Sequence, residues 1–188
     1  KEKVIIGELY LTIENIVNYY GEDCDGAHLP SNFELIFLIP WEADRIRIAI
    51  DKYEAALPEK CWPNWVLGNH DKERLASRVG NEQAKIAAML LLTLRGTPTI
   101  YYGDEIGMGD DLRLKERDAV RTPMHWSNDF QAGFSVANNL VHPVIKKGPY
   151  AFQHINVDDQ RREPNSMLNW LTSLIRLRKE CPEIGYGQ

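Results

Sequence analysis

Four short apolar runs recur along this chain at intervals of about 30 residues, the length of one strand–helix–strand unit. That spacing constrains the fold more than any other feature. The runs are Val4-Ile5-Ile6, Leu35-Ile36-Phe37-Leu38-Ile39, Trp65-Val66-Leu67 and Thr99-Ile100-Tyr101-Tyr102. Between them lie stretches with apolar residues at helical spacing: Ile13, Ile16, Val17 and Tyr20, then Ile46, Ala49, Ile50, Tyr53 and Leu57, then an Ala- and Leu-rich segment from Glu82 to Arg95. Pro58 stops the second helix, and Gly96 caps the third. Strand and helix in alternation predict an α/β chain with a parallel sheet. Right-handed crossovers then put all four strand ends on one face. An open doubly wound sheet and a closed barrel both satisfy this pattern.

The runs end abruptly in polar side chains. Gly7-Glu8 follows the first, Asn69-His70-Asp71 the third, and Gly103-Asp104-Glu105 the fourth. In parallel α/β folds ligands sit at the carboxyl ends of strands. Glu8 and Asp71 occupy that place on two different strands. Either one alone is more often a cap or a salt-bridge partner, but the matched pair points to chemistry.

At 188 residues the chain is long enough for one good core, yet short of the ~250 of a complete eight-stranded barrel. The hydrophobic fraction of 44% and charged fraction of 26% are those of an ordinary globular domain. A net charge of −5 argues against nucleic acid or an anionic membrane as partner. No apolar run is long enough to span a bilayer. Cys24, Cys61 and Cys181 are odd in number and far apart. The expectation is free thiols in a reducing compartment and a cytoplasmic protein, with secretion left open. No Cys/His group has metal-ligand spacing, so neither metal nor cofactor is expected. The section of about 107–163 is irregular and rich in Gly, Pro, Asn and Asp, a long loop of the kind that is normally functional. A final amphipathic helix turns Met167, Leu168, Leu171, Leu174, Ile175 and Leu177 inward. It carries Arg176, Arg178 and Lys179 in its last turn, and Pro182 and Gly185 end it. With no linker or low-complexity segment, residues 1–188 are read as one domain or a piece of one.

Taken together these motifs resemble glycoside hydrolase family 13, the α-amylase superfamily, in its α-glucosidase and oligo-1,6-glucosidase branch. Ile6-Gly7-Glu8 is similar to the general-acid motif after the fifth barrel strand, and Asn69-His70-Asp71 with Arg74 to the motif after the seventh. Gly96-Thr97-Pro98 through Met108 resembles the eighth strand and its exit. Arg117-Asp118-Ala119-Val120-Arg121-Thr122-Pro123-Met124-His125-Trp126, with Ala132-Gly133-Phe134 beyond, resembles a signature of α-glucosidases and trehalose synthases. The resemblance implies the second half of a (β/α)8 TIM barrel, strands 5 to 8 with their helices, without the N-terminal half or the C-terminal β-domain. Nothing matches the family's nucleophile, an aspartate after the fourth strand.

The implied chemistry is retaining hydrolysis of terminal α-linked glucose from short oligosaccharides, which needs two carboxyl groups about 5–5.5 Å apart across the scissile bond. Glu8 is implied as acid and then base, a role that calls for crowding and partial burial. Asp71 is implied as the carboxylate that favours the positively charged transition state, His70 as a donor to a hydroxyl of the same sugar, and Arg121 as the arginine that closes the pocket. Trp126, Phe134 and Tyr102 are read as packing before sugar stacking, Arg74 as support for neighbouring carboxylates, and Asp104 and Glu105 as without a role. The partner is a small α-glucoside or maltooligosaccharide. The chain alone is expected to be inactive, with self-association or a companion fragment covering its open edges. Two other readings stay open: a trehalose synthase-like glucosyl transferase or isomerase, and a non-catalytic amylase-like scaffold.

Overall fold

The computed structural model describes residues 3–186. In chain order the elements are β1 (Ile6–Gly7), α1 (Ile13–Ile16), β2 (Leu29–Pro30), α2 (Glu34–Phe37), α3 (Ala43–Ala56), β3 (Asn64–Val66), α4 (Leu75–Thr93), β4 (Thr97–Thr99), α5 (Val157–Arg162), α6 (Met167–Glu180) and α7 (Pro182–Tyr186), with short 3-10 turns between. They fall into two compact units. The first takes in Lys1–Leu67, Thr93–Thr99 and Cys181–Gln188, the second Gly68–Leu92 and Ile100–Glu180.

All the described strands lie in the first unit, and all their pairings are parallel. β1 pairs with β2 (Ile6 opposite Leu29) and β3 with β4 (Asn64 opposite Thr97), while a single bridge from Asn32 to Trp65 joins the two pairs. The lateral order therefore follows the chain order, with no reversal among the described strands. Around them packs an aromatic core of Trp65, Tyr53 and Tyr20, each at most 1% exposed. Tyr53 meets Trp65 edge-on at 5.1 Å. The Tyr20 and Tyr53 hydroxyls share a hydrogen bond of 2.8 Å, and Tyr20 also donates to the Trp62 carbonyl at 2.9 Å. Burying two phenols against each other pushes both up from their ordinary pKa.

The second expected strand is not one. Leu35 to Ile39 begins with α2, and the strand that follows β1 is Leu29–Pro30 instead. Asn32 Oδ1 accepts from the Glu34 amide at 2.9 Å, and Ile36 and Phe37 donate back to the Phe33 carbonyl, so the backbone closes into a turn of helix. The burial agrees, since Leu35 and Ile36 are buried whereas Phe37 and Ile39 are exposed. A short apolar run carries no periodicity that separates strand from helix. The other strands are displaced slightly from expectation: β3 starts one residue early, and β4 ends at Thr99, before the two tyrosines. β1 is not the buried run its composition implied, because Val4, Ile5 and Ile6 are all more than half exposed.

The free-thiol expectation is also overturned. Cys24 and Cys61, separated by 37 residues, form a disulfide with Cα atoms 5.5 Å apart, and Cys181 is the free cysteine. Closing a loop of 37 residues lowers the entropy of the unfolded chain by about 4 kcal/mol. Gly96 does not end α4, which stops at Thr93. Its role is in the turn into β4, where it holds φ +103° and a Cβ would sit 2.3 Å from the Pro63 carbonyl oxygen.

The second unit is built from α4, α5, α6 and the long connecting section. α4 starts earlier than Glu82 and is broken at Gly80, whose φ of 78° and ψ of 161° are not helical. Ala88 and Leu92 of α4 pack on Met167 and Leu171 of α6, with Leu174 and Ile175 alongside. Leu177, expected inward, is 46% exposed. Arg178 serves α4 as well as its own helix end, donating to the Leu92 carbonyl at 2.7 Å. The irregular section has a core of its own, Ile106, Met108, Met124, Ile145, Ile155 and Val157. Asn156 caps α5 by accepting from the Asp159 amide at 2.9 Å.

Candidate active site

Asp71 owes its position to Asn69. The Asn69 side-chain oxygen accepts from the amides of Asp71 (3.0 Å) and Lys72 (3.1 Å), closing a local turn just after β3 in the chain. One carboxylate oxygen of Asp71 then receives Arg121 Nη2 at 2.9 Å and Arg117 Nη1 at 3.3 Å, with His70 Nε2 at 3.5 Å. Arg121 Nε donates to the His70 carbonyl at 3.0 Å, so a single guanidinium ties together both residues of the His-Asp pair. Partial burial of Asp71 would raise its pKa, but the hydrogen bond from Arg117, the nearby His70 and the hydrogen bond from Arg121 together hold it below the ordinary carboxylate value. Asp71 is an ionised group among cations, suited to stabilise positive charge and unsuited to donate a proton.

Arg121 is placed by a buried hub. Arg74 is 0% exposed. Its guanidinium donates to the carbonyls of Tyr102 and Val120 (3.0 Å to Val120) and lies 4.8 Å and 4.5 Å from the ring centres of Tyr101 and Tyr102. Its own amide donates to both oxygens of Asp110, whose backbone is fixed in turn by Ser77. Gly103 is required beside it, since a Cβ there would sit 2.8 Å from Arg74 Nη1. The Tyr101 hydroxyl donates to the Val120 carbonyl (3.1 Å) and the Tyr102 hydroxyl to the Thr122 carbonyl (2.7 Å). The residues on both sides of Arg121 are thus pinned, and the clamp on Asp71 inherits that rigidity.

Of the four sequence-derived site residues, His70, Asp71 and Arg121 lie together in the second unit, and Glu8 follows β1 in the first as an exposed residue. Sequence reasoning placed Asn69 and Arg117 inside motifs but gave neither a role at the site. An Asn two residues before an Asp is a local turn signal and could have been read as one, whereas the reach of Arg117 across 46 residues leaves no local mark.

Two titratable groups with buried polar atoms stand beside the hub. Asp104 has one carboxyl oxygen buried without a hydrogen-bond partner, and burial pushes its pKa up to about 7 despite Arg74 nearby. His125, fully buried with Nδ1 3.0 Å from the Ile155 carbonyl oxygen, is pushed down to about 4 by burial. These groups pull stability in opposite directions. The folded protein holds the Asp104 proton that the unfolded chain loses near 3.8, so this contribution is lost as pH rises from about 4 through 7. The unfolded chain takes up a proton on His125 near 6.5, so that contribution is lost as pH falls from 6.5 through about 4. Asp104→Asn removes the first effect. Relative to the parent protein, the variant should gain stability between pH 4.5 and pH 7.5 in urea denaturation, and an unchanged or falling difference would exclude the buried carboxyl as the cause.

A cavity of about 670 Å³ also lies in the second unit, with Arg121 in its wall. A model of the α-amylase catalytic domain matches residues 1–187. The chain belongs to that family. Among its relatives, trehalose synthase of Thermus thermophilus is 34% identical over 97% of this chain and 23% of its own length. Maltase A1 of Drosophila melanogaster is 33% identical over 100% of this chain and 35% of its own. The amino acid transporter heavy chain SLC3A1 of Homo sapiens is 38% identical over 84% and 24%. Among solved structures, isomaltulose synthase SmuA from Protaminobacter rubrum matches with a TM-score of 0.85 at 26% identity, over 100% of this chain and 42% of that one. The chain therefore spans between about a quarter and two fifths of the length of these α-amylase family proteins.

Proposed function

We propose that the chain is part of a retaining α-glycoside hydrolase that releases terminal α-linked glucose from short oligosaccharides. The observation that carries this reading is the Asp71 carboxylate, kept ionised and held by Arg121, Arg117 and His70. Such a group stabilises the oxocarbenium-like transition state of glycoside cleavage by charge, without itself taking part in bond making. Glu8 supplies the proton to the leaving oxygen and later takes one from the attacking water, while a carboxylate nucleophile comes from a part of the catalytic domain outside these residues. α-Glucosidases and maltases among the relatives support the same activity.

Strands 5 to 8 of a (β/α)8 barrel are the architecture we assign. The sequential strand order supports it, because an open doubly wound sheet reverses order at its switch point. On this reading the one-sided, exposed β1 meets a preceding strand, from a companion segment or a second copy. The Cys24–Cys61 disulfide supports an oxidising compartment, secreted or lumenal, in place of the cytoplasm.

The trehalose synthase relative and the isomaltulose synthase likeness favour a second reading, transfer of the glucosyl group to a sugar instead of water. The two share one intermediate and differ in water access. The SLC3A1 heavy chain favours a third, a scaffold without turnover. Incubating the full-length protein with maltose, isomaltose and sucrose separates them: hydrolysis products alone are expected, an isomeric disaccharide would establish transfer, and no reaction with any of the three would favour the scaffold.

A further inference from the structure

A second cavity, of about 420 Å³, lies wholly within the first unit. It sits where β3 and β4 begin, with Trp62 in its wall just before β3 and Arg95 just before β4. Every described strand pairing in this unit is parallel, so the amino ends of the strands lie together. Glu8 follows β1 at the opposite, carboxyl end, which separates it from this cavity. The wall is firmly held. Cys61 is tied to Cys24 through the disulfide, its carbonyl accepts from Arg95 Nη1 at 3.2 Å, and Trp62 Nε1 donates to Thr97 Oγ1 at 2.8 Å. The rings of Trp62 and Tyr186 meet at 5.0 Å with 57° between their planes. Tyr186 is 72% exposed, so an aromatic face stays open to a ligand.

The charged groups of the wall balance in sign, Glu54 and Glu59 against Lys60 and Arg95. Arg95 Nε and Nη2 both donate to Glu54 Oε2, at 3.1 Å and 2.6 Å, which leaves Glu54 Oε1 without a hydrogen bond among the described residues. The Glu59 and Lys60 side chains are likewise unpaired among the described residues. The volume is that of a small-molecule site. An anion or a cation would meet a charge of its own sign there along with the opposite one. A neutral ring bearing hydroxyls meets no such conflict. Its hydroxyls can donate to the unused carboxylate oxygens and accept from the Lys60 ammonium, and the polarised C–H bonds of one ring face can lie on the aromatic surface. We propose that this cavity is a non-catalytic pyranose site, taking a free sugar or one unit of an oligosaccharide at the amino ends of the strands. Such a site binds sugar whether or not the chain hydrolyses it.

Calorimetry with maltose on the full-length protein tests this, in a Glu8→Gln background so that the sugar is not consumed. Two maltose sites per chain are expected. Tyr186→Ala and Lys60→Ala, both at exposed positions, should each weaken one of them by about tenfold, the loss of a stacking face or of a charged donor. Asp71→Asn should weaken only the other. Sorbitol, which has the hydroxyls without a rigid ring face, should not displace maltose from the Tyr186-dependent site. A single site insensitive to both exposed substitutions, two sites that neither alters, or displacement by sorbitol as readily as by glucose would overturn the pyranose site and leave the hydrolase reading in place. A Tyr186-dependent site with no Asp71-dependent one beside it would uphold the pyranose site and overturn the hydrolase reading instead.

Discussion

Asp71→Asn should lower kcat on an α-glucoside by about a thousandfold in the full-length protein, with KM changed far less. Charge stabilisation in a preorganised site is commonly worth two to three orders of magnitude per group, and the carboxylate matters most when the glucosyl carbon is most cationic. The amide keeps the shape and an acceptor oxygen but removes the charge that Arg117 and Arg121 hold in place. Because Asp71 is ionised well below neutral pH, its own titration should not shape the acid limb of a neutral-pH rate profile. Asp71 is partly exposed, so the variant should remain folded. A loss of less than tenfold in a folded variant would reduce Asp71 to an ion-pair partner that fixes the Arg117–Arg121 segment.

The second large effect belongs to Arg74. Arg74→Met should destabilise the protein by about 3–5 kcal/mol, the cost of removing one member of a buried charge pair. The loss leaves the Tyr102 and Val120 carbonyls without their donor and Asp110 without its nearby cation. Arg74→Lys should recover little, since two carbonyls pointing at one planar fork are not matched by a single ammonium. Urea denaturation measures both variants. A change below about 1 kcal/mol would place the hub among ordinary surface ion pairs instead. Where Arg74→Met still folds, the Arg121 clamp should loosen, so activity should fall further than the folded fraction does.

The periodic elements were legible and the local departures were not. The helical spacing of Ile46, Ala49 and Tyr53 marks α3, and that of Met167 and Leu171 marks α6, because burial on one face leaves a trace every third or fourth residue. β2 left no such trace. It is two residues long and contains a proline, and its apolar neighbour Leu35–Ile39 drew the assignment. The disulfide was invisible for a related reason. Cys24 and Cys61 approach β2 and β3 respectively, and their proximity follows from strand neighbourhood, which their separation in sequence does not encode. At the site, His70, Asp71 and Arg121 were legible through motif, and the structure brings them together. Arg117 required the fold, because only the course of the section after β4 brings it to Asp71.

The Cys24–Cys61 bond has a further consequence for how this chain ages. The segment it encloses contains β2, α2, α3 and the turns between them. A protease that cuts anywhere in that segment produces two ends that stay joined through sulfur, so Glu8 and Asp71 remain on one covalent molecule. Damage that would divide an uncrosslinked chain leaves this one nicked but whole, and only a reductant releases the pieces.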